Sequence, residues 1–324
     1  MSLSVEILKA SYGDSFILYC EDNGKRGTVV VDGGPKSTSL QIVRKLRSIG
    51  CIDLMVLSHF DHDHIAGLYR YICSRISDSP FPVKEIWCNC AHQLNAPSID
   101  TRISYSEAHD LASVLQNIRG LEWKDNISDG LVRDLGFCRI NVISPTKDDL
   151  ERNLKEYEKA ENKHGDDSRV RISLNRIIIN QQQSLEKLAF NDTPKVSVNK
   201  DLINKASIAY LKDKGYSTTN PLCVDCMKVS HHGSRNNICV ELLDMIKCDK
   251  FIISTDGGTG NSYHPDRETI AKILCHPCRN FNVKRHLYFN YPLEKIMERV
   301  GDFIQQDEFS KYNFDVHDNV SSLK

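Results

Sequence analysis

Short apolar runs broken by turn residues open the chain. Residues 5–8, 15–19 and 28–31 are β-rich, and Tyr12-Gly13-Asp14 and Asp22-Asn23-Gly24 separate them, so the pattern predicts three strands. Asp32-Gly33-Gly34-Pro35 ends the third abruptly. The period then changes: over residues 39–49, Leu40, Val43, Leu46 and Ile49 recur at helical spacing, which predicts one buried helix face. Residues 52–57 are a short apolar run and predict a buried strand. The polar segment 58–64 sits at its carboxyl end, and Ile65-Ala66-Gly67-Leu68 opens a helix. In α/β proteins, that junction is a common position for a ligand.

Further along, residues 86–88 and 139–143 predict strands and 109–118 a helix. Residues 148–167 are dense in charge and 180–204 are polar and irregular, so both are expected at the periphery. Regular patterning resumes with a helix over 208–214 and a strand over 224–229 that runs into Ser230-His231-His232-Gly233-Ser234. A helix over 239–245, a strand over 250–254 and a glycine-rich loop follow. His264-Pro265-Asp266 then precedes a helix over 267–274. The pattern predicts one domain over residues 1–305, with a peripheral insertion at about 147–204, and a loose polar tail over 306–324. There is no internal repeat.

Composition narrows the class. The 324 residues are 40% hydrophobic and 26% charged, enough for a sizeable core in an ordinary globular protein. A net charge of -1 excludes a global basic field, so any nucleic-acid binding needs a local patch. The amino terminus lacks the basic-then-apolar pattern of a signal peptide, and no run approaches the roughly 20 apolar residues that span a bilayer. The expectation is a cytoplasmic protein with no membrane partner, in which the twelve cysteines are reduced thiols.

The chemistry concentrates in His59-Phe60-Asp61-His62-Asp63-His64. Imidazole and carboxylate groups mixed at one strand end suit a divalent cation such as zinc, manganese or iron. Alternation along an extended segment would bring positions 59, 61 and 63 to one side. His59 and Asp61 could then serve one metal and Asp63 and His64 a second, with His62 pointing away. In His231-His232-Gly233-Ser234, one histidine could complete a metal site while the other orients it or donates a proton; spacing does not say which. His264 is a weaker candidate at the end of another strand. Cys223-Val224-Asp225-Cys226 and Cys275-His276-Pro277-Cys278 have metal-like spacing. The first lies at a strand, where residues three apart face opposite sides, and the second has no clear partner pair. For these, as for Cys88 and Cys90, buried or incidental thiols are the favoured reading.

The run from His59 to Gly67 resembles the metal motif of the metallo-β-lactamase superfamily, and most closely its ComEC-like branch, where an aspartate, here Asp61, replaces the usual second histidine. Gly13-Asp14-Ser15, Asp32-Gly33-Gly34, Lys228-Val229-Ser230-His231-His232-Gly233-Ser234 and the stretch from Ile252-Ile253-Ser254-Thr255 to His264-Pro265 resemble further signatures of that branch, in the same order. The resemblance implies a four-layer αββα sandwich with a stand-alone hydrolase site. It implies one or two divalent ions, zinc or manganese. The metal ligands it implies are His59, Asp61, Asp63, His64 and His231. Asp63, His232 and His264 are the catalytic candidates; by position, Lys228 would contact substrate or form a structural ion pair, and Ser234 would hydrogen-bond phosphate or cap a helix.

ComEC-like domains are associated with DNA degradation during uptake, and some stand-alone relatives accompany antiviral defence proteins. A phosphodiesterase or nuclease acting on DNA is therefore the first expectation. Relatives usually carry, after a segment like Asn204–Ala209, a strand pair ending in a Gly-Asp whose aspartate bridges two metals; that element is missing here, with Asp256 as a substitute. Its loss raises a second expectation: a catalytically impaired subunit that binds or regulates a protein partner. Hydrolysis of a small ester or thioester, as in other branches, is a third.

Overall fold

The computed structural model describes residues 2–59, 61–89, 105–151, 183–189, 202–260 and 263–324. The chain is a mixed α/β protein and divides into two compact units. The first comprises residues 1–142, 146–163 and 321–324, and the second residues 143–145 and 164–320.

The first unit is built on one large mixed sheet. Its strands are β1 (Ser2–Ile7), β2 (Phe16–Asp22), β3 (Lys25–Val31), β4 (Ile52–Val56), β5 (Val83–Trp87) and β6 (Glu122–Lys124), with the short carboxyl-terminal β15 (Ser322–Leu323) beside β1. β2 and β3 form a hairpin in which Asp22 pairs with Lys25, so only Asn23 and Gly24 lie in the turn. Both have positive φ, as a tight hairpin turn needs, and asparagine and glycine tolerate that region best. From β3 onward the strands run parallel and need crossovers. Helices α1 (Ser39–Arg47), α2 (His62–Cys73) and α3 (Tyr105–Leu115) supply the apolar side chains that cover one face.

Strand alternation divides the apolar residues of this sheet. Val30, Met55 and Ile86 join the helical side. Val29, Leu54 and Trp87 point to the other, where a hairpin of β7 (Val132–Asp134) and β8 (Arg139–Asn141) brings Ile140 and the turn residue Phe137. Arg133 of that hairpin reaches the buried Glu85 carboxylate at 2.6 Å, which ties it to β5. The buried stripe of α1 is Ser39, Ile42, Val43 and Leu46, whereas Leu40 is 52% exposed. The expected face is kept at Val43 and Leu46, Ile42 joins it, and only Leu40 falls outside it.

In the second unit, α4 (Leu185–Ala189) and α5 (Leu202–Asp213) come first. Short strands β9 (Leu222–Cys223) and β10 (Met227–Lys228) follow, then α6 (Val240–Asp244), β11 (Ile246–Lys247) and β12 (Lys250–Ile253). After these come α7 (Arg267–Cys275), β13 (Arg285–Phe289), α8 (Leu293–Val300), α9 (Glu308–Lys311) and β14 (Phe314–His317). Its main sheet is parallel, in the order β10-β12-β13-β14. The strand expected over 224–229 is shortened to β10, which pairs with β12, and a separate strand before it, β9, pairs with β11.

Two peripheral expectations differ from the structure. Leu185 and Leu188 of α4 are fully buried in the core of this unit, although they fall in the stretch read as an insertion. Residues 152–182 and 190–201 of that stretch lie outside the described residues. The carboxyl-terminal segment is not a loose tail: Phe314 is buried, β14 extends the sheet, and β15 pairs with β1. Its polar look comes from strand alternation, since Asp315 and His317 share the face opposite Phe314.

No described helix is long and apolar enough to cross a membrane.

Candidate metal centre

In the first unit the acidic histidine motif folds as a strand-to-helix junction. Asp61 caps α2 in extended conformation, and Asp63 and His64 lie in the first helical turn. The expected alternation along an extended segment therefore does not apply beyond Asp61; helical geometry places these side chains. Phe60 lies outside the described residues. His59 Nε2 is 3.6 Å from Asp61 Oδ2, and His64 Nε2 is 3.4 Å from Asp63 Oδ2. The rings of His59 and His64 stand 3.9 Å apart. His62 is half-buried beside them.

His64 is buried and closely held. Its Nδ1–H donates to Asp32 Oδ2 at 2.8 Å, which places the lone pair of the neutral ring on Nε2, the nitrogen facing Asp63. Asp32 is itself buried and also accepts from the Ser58 amide at 2.8 Å and the Ser58 hydroxyl at 2.7 Å. Burial alone would lower the His64 pKa, but the carboxylates of Asp32, Asp63 and Asp14 outweigh it and raise it well above the ordinary value. Asp14 is buried too, with a carboxylate oxygen within 4.8 Å of a His64 ring nitrogen.

Glycines let these segments approach. A Cβ on Gly13 would lie 2.0 Å from the Asp63 carbonyl oxygen, and one on Gly67 would lie 1.8 Å from that of Gly33. Backbone bonds close the arrangement: Gly33 N–H donates to His64 O at 2.7 Å and Asp14 N–H to Asp63 O at 3.3 Å. The roles of Asp32 and Asp14 were not read from the sequence as contacts to the metal motif; the only signal was their place in two short glycine motifs.

The second unit presents its own group of histidines. Ser230–Gly233 is a tight turn in which His231, His232 and Gly233 all have positive φ. For histidine that conformation is uncommon and marks a constrained site. His232 is buried, and its Nδ1–H donates to the Ser254 carbonyl at 2.9 Å, which again leaves the lone pair on Nε2. His231 is half-buried, with its ring 5.4 Å from that of His264. His264 Nδ1 lies 3.3 Å from Asp266 Oδ2. Gly233 is packed so that a Cβ would meet Pro265 at 2.7 Å. Asn290, fully buried, fixes the facing loop by accepting from the Thr255 amide at 2.9 Å and donating to Ser254 Oγ at 3.2 Å. His231, His232 and His264 are therefore brought together.

Asp256 is buried near the same loop, but its carboxylate pairs with Arg299 at 2.8 Å and accepts from the Gly258 amide at 3.2 Å. Lys228 is half-buried on β10, and Ser234 is buried behind the turn, its amide bonded to His231 O at 2.9 Å.

The cysteine motifs place no thiol in a candidate metal group among the described residues. Burial raises the Cys275 thiol to about 12 and the Cys248 thiol to about 11, so neither is a thiolate at neutral pH. His276 Nε2 accepts from Arg285 at 2.6 Å and its Nδ1–H donates to Asp244 at 2.6 Å, so the histidine of Cys275-His276-Pro277-Cys278 is committed to an internal network. Cys90 lies outside the described residues.

No family model and no curated protein matches the chain. Solved structures show similarity. A Cronobacter sakazakii metallo-beta-lactamase with a HARLDQ motif aligns over 43% of this chain and 53% of its own length, at 14% identity and a TM-score of 0.26. The chain thus spans about half of that protein. A mutant flavo di-iron protein from Thermotoga maritima aligns over 95% of this chain and 85% of its own, at 12% identity and a TM-score of 0.27. The flavodiiron protein of Giardia intestinalis aligns over 95% and 84%, at 9% identity and a TM-score of 0.22. These are likenesses at low score, and nothing about chemistry passes from them to this chain.

Proposed function

We propose that the chain is a metal-dependent hydrolase of the metallo-β-lactamase superfamily that cleaves phosphodiesters, with DNA as substrate class and antiviral defence as setting. The observation that carries this reading is the His64 imidazole, gripped at Nδ1 by buried Asp32 with Nε2 beside Asp63. A carboxylate behind a histidine is the usual way to orient an imidazole toward a cation. The donor set also fits the chemistry: two imidazoles and the carboxylates of Asp61 and Asp63 at one loop suit zinc or manganese.

His59, Asp61, Asp63 and His64 would hold the ion. When bound there, a divalent cation supplies Lewis acidity and a water of lowered pKa. Asp32 keeps the Nδ1 proton on His64, and Ser58 keeps Asp32 aimed. In the second unit, His232 is the proposed lone-pair donor in place of His231, because the Ser254 carbonyl fixes its tautomer. His264 is proposed to give a proton to a leaving oxygen, with Lys228 and Ser234 as phosphate contacts.

The second reading is a catalytically impaired subunit that regulates a protein partner. It is favoured by α5, which continues as helix to Asp213 past Ala209, after which the resemblance calls for a strand pair, and by Arg299 holding the Asp256 carboxylate. Metal analysis of the purified chain, with single- and double-stranded DNA cleavage assayed in manganese, tests both. The hydrolase reading expects bound metal and cleavage, both lost in Asp63→Ala. Metal without cleavage supports the regulatory subunit, and neither metal nor cleavage overturns the metal centre itself.

A further inference from the structure

A second group of ligating side chains lies within the second unit, on the parallel strands β13 and β14. His286, Asp315 and His317 offer one donor atom each, all within 4.8 Å of one another. Register explains why. His286 sits opposite Asp315 and Tyr288 opposite His317, and strand alternation sends these four side chains to the face opposite Leu287 and Phe314. His286 Nδ1 is 3.0 Å from His317 Nε2 and 4.0 Å from Asp315 Oδ2. Tyr288 stacks on His317 at 4.6 Å and 15°, which limits rotation of that ring. The group is reachable from solvent, with the side chains of His286 30% and Asp315 43% exposed.

We propose that His286, Asp315 and His317 form a binding site for a zinc-class divalent cation, distinct from the histidine turn at Ser230–Gly233. Two imidazoles and one carboxylate are a donor set that zinc takes, with a fourth position left to water. Donor atoms around a tetrahedral zinc stand about 3.3 Å apart, given bonds of about 2.0–2.1 Å. The nitrogens must therefore open by a few tenths of an ångström and the carboxylate close by somewhat more. No proton need leave the protein: the one shared between the two imidazoles moves to the outer nitrogen of its ring. Lys284 is the resident competitor, its ammonium 3.1 Å from Asp315 Oδ2, and its 49% exposure lets it swing into water. Because β14 is the edge strand of its sheet among the described residues, paired there with β13, the ion would clamp that strand to the body of the unit.

The site stands independently of the hydrolase reading, so the test uses the full chain carrying Asp63→Ala and His64→Ala, which clears the first centre. Zinc titration followed by calorimetry, with cobalt substitution read by its visible absorption, should show one equivalent remaining, together with a zinc-dependent rise in melting temperature. His317→Ala should remove that equivalent and the melting shift, while Lys284→Ala should tighten binding several-fold. If His317→Ala fails to fold, His286→Gln gives the same reading. Zinc stoichiometry unchanged by these ligand substitutions, or no zinc bound at all, would overturn the proposal.

Discussion

The imidazoles of His64 and His276 are both buried, and each gives its Nδ1–H to a carboxylate, Asp32 at 2.8 Å in one case and Asp244 at 2.6 Å in the other. They titrate in opposite directions. Burial lowers both. At His64, Asp32, Asp63 and Asp14 reverse the effect and raise its pKa well above the ordinary value. At His276, Arg285 adds to burial, and together they outweigh Asp244 and bring it down to about 4. The difference lies at the second nitrogen. His64 Nε2 faces the Asp63 carboxylate, whereas His276 Nε2 already accepts from the Arg285 guanidinium. One ring is arranged to meet a cation, and the other has a resident cation of its own.

The strongest way to break that comparison is to separate His64 from Asp32. Helix α2 lies against the Asp32-Gly33 turn because Gly67 has no side chain, and an added Cβ would stand 1.8 Å from the Gly33 carbonyl oxygen. Backbone cannot yield as a side chain tip would. Gly67→Ala is expected to cost at least about 3 kcal/mol and to lower the melting temperature by roughly 6–12 °C. Gly233→Ala makes the control, since its Cβ would meet Pro265 at 2.7 Å and Ile253 at 3.6 Å, a looser fit than at Gly67, and positive φ adds about 1–2 kcal/mol. Equal losses in chemical denaturation would show that the first junction is no tighter than the second.

The pH dependence of stability isolates the other histidine. The His276 pKa is near 4 in the folded chain against an ordinary 6.5, so the unfolded chain binds more protons between those values. Its contribution is complete above about pH 6.5 and is lost as pH falls toward 4. The slope approaches 1.4 kcal/mol per pH unit and the total is about 3 kcal/mol. Urea unfolding across that window should show the decline. His276→Asn, less stable at neutral pH, should show a flatter profile; an unchanged slope would assign the acid sensitivity to other groups.

Asp32→Asn is the next smaller test. It keeps the shape but removes the charge that orients His64, and it turns an amide N–H toward donors from Ser58 and His64. Loss of such an orienting group costs 10–100-fold in metal affinity, about 1.4–2.8 kcal/mol. Zinc competition with a chromogenic chelator would measure it, and undiminished affinity would remove Asp32 from the centre.

These contrasts also show where sequence patterning suffices. The strand–loop–helix around residues 52–73 and the Asn23-Gly24 turn are legible because period and turn chemistry are local. The Asp32–His64 bond is not, since it joins residues 32 apart whose approach depends on the glycines between segments. Nor is the histidine group on β13 and β14. There the informative register is between parallel strands far apart in sequence, and alternation makes β14 resemble a polar tail. Leu40 fits the periodicity of α1 as well as Ile42 does, yet only Ile42 finds a partner surface. Periodicity reports which faces an element has, and tertiary packing chooses among them.

The smallest expected effect bears on the motif around His276. Cys275-His276-Pro277-Cys278 has the spacing of a metal knuckle, but Cys275 is buried with its thiol raised to about 12, while Cys278 is exposed. Burial and the Asp244 carboxylate raise the Cys278 thiol as well, and the Cys278 amide also donates to Asp244, at 3.1 Å. The two thiols therefore face different surroundings, and the histidine between them already has both nitrogens engaged. Cys278→Ser should change stability by no more than about 0.5 kcal/mol and leave zinc stoichiometry untouched. A lost zinc equivalent would mean that Arg285 yields its place at His276 Nε2 to a metal. The contrast with His64 would then be one of occupancy and not of design, because both rings would turn a nitrogen toward an ion.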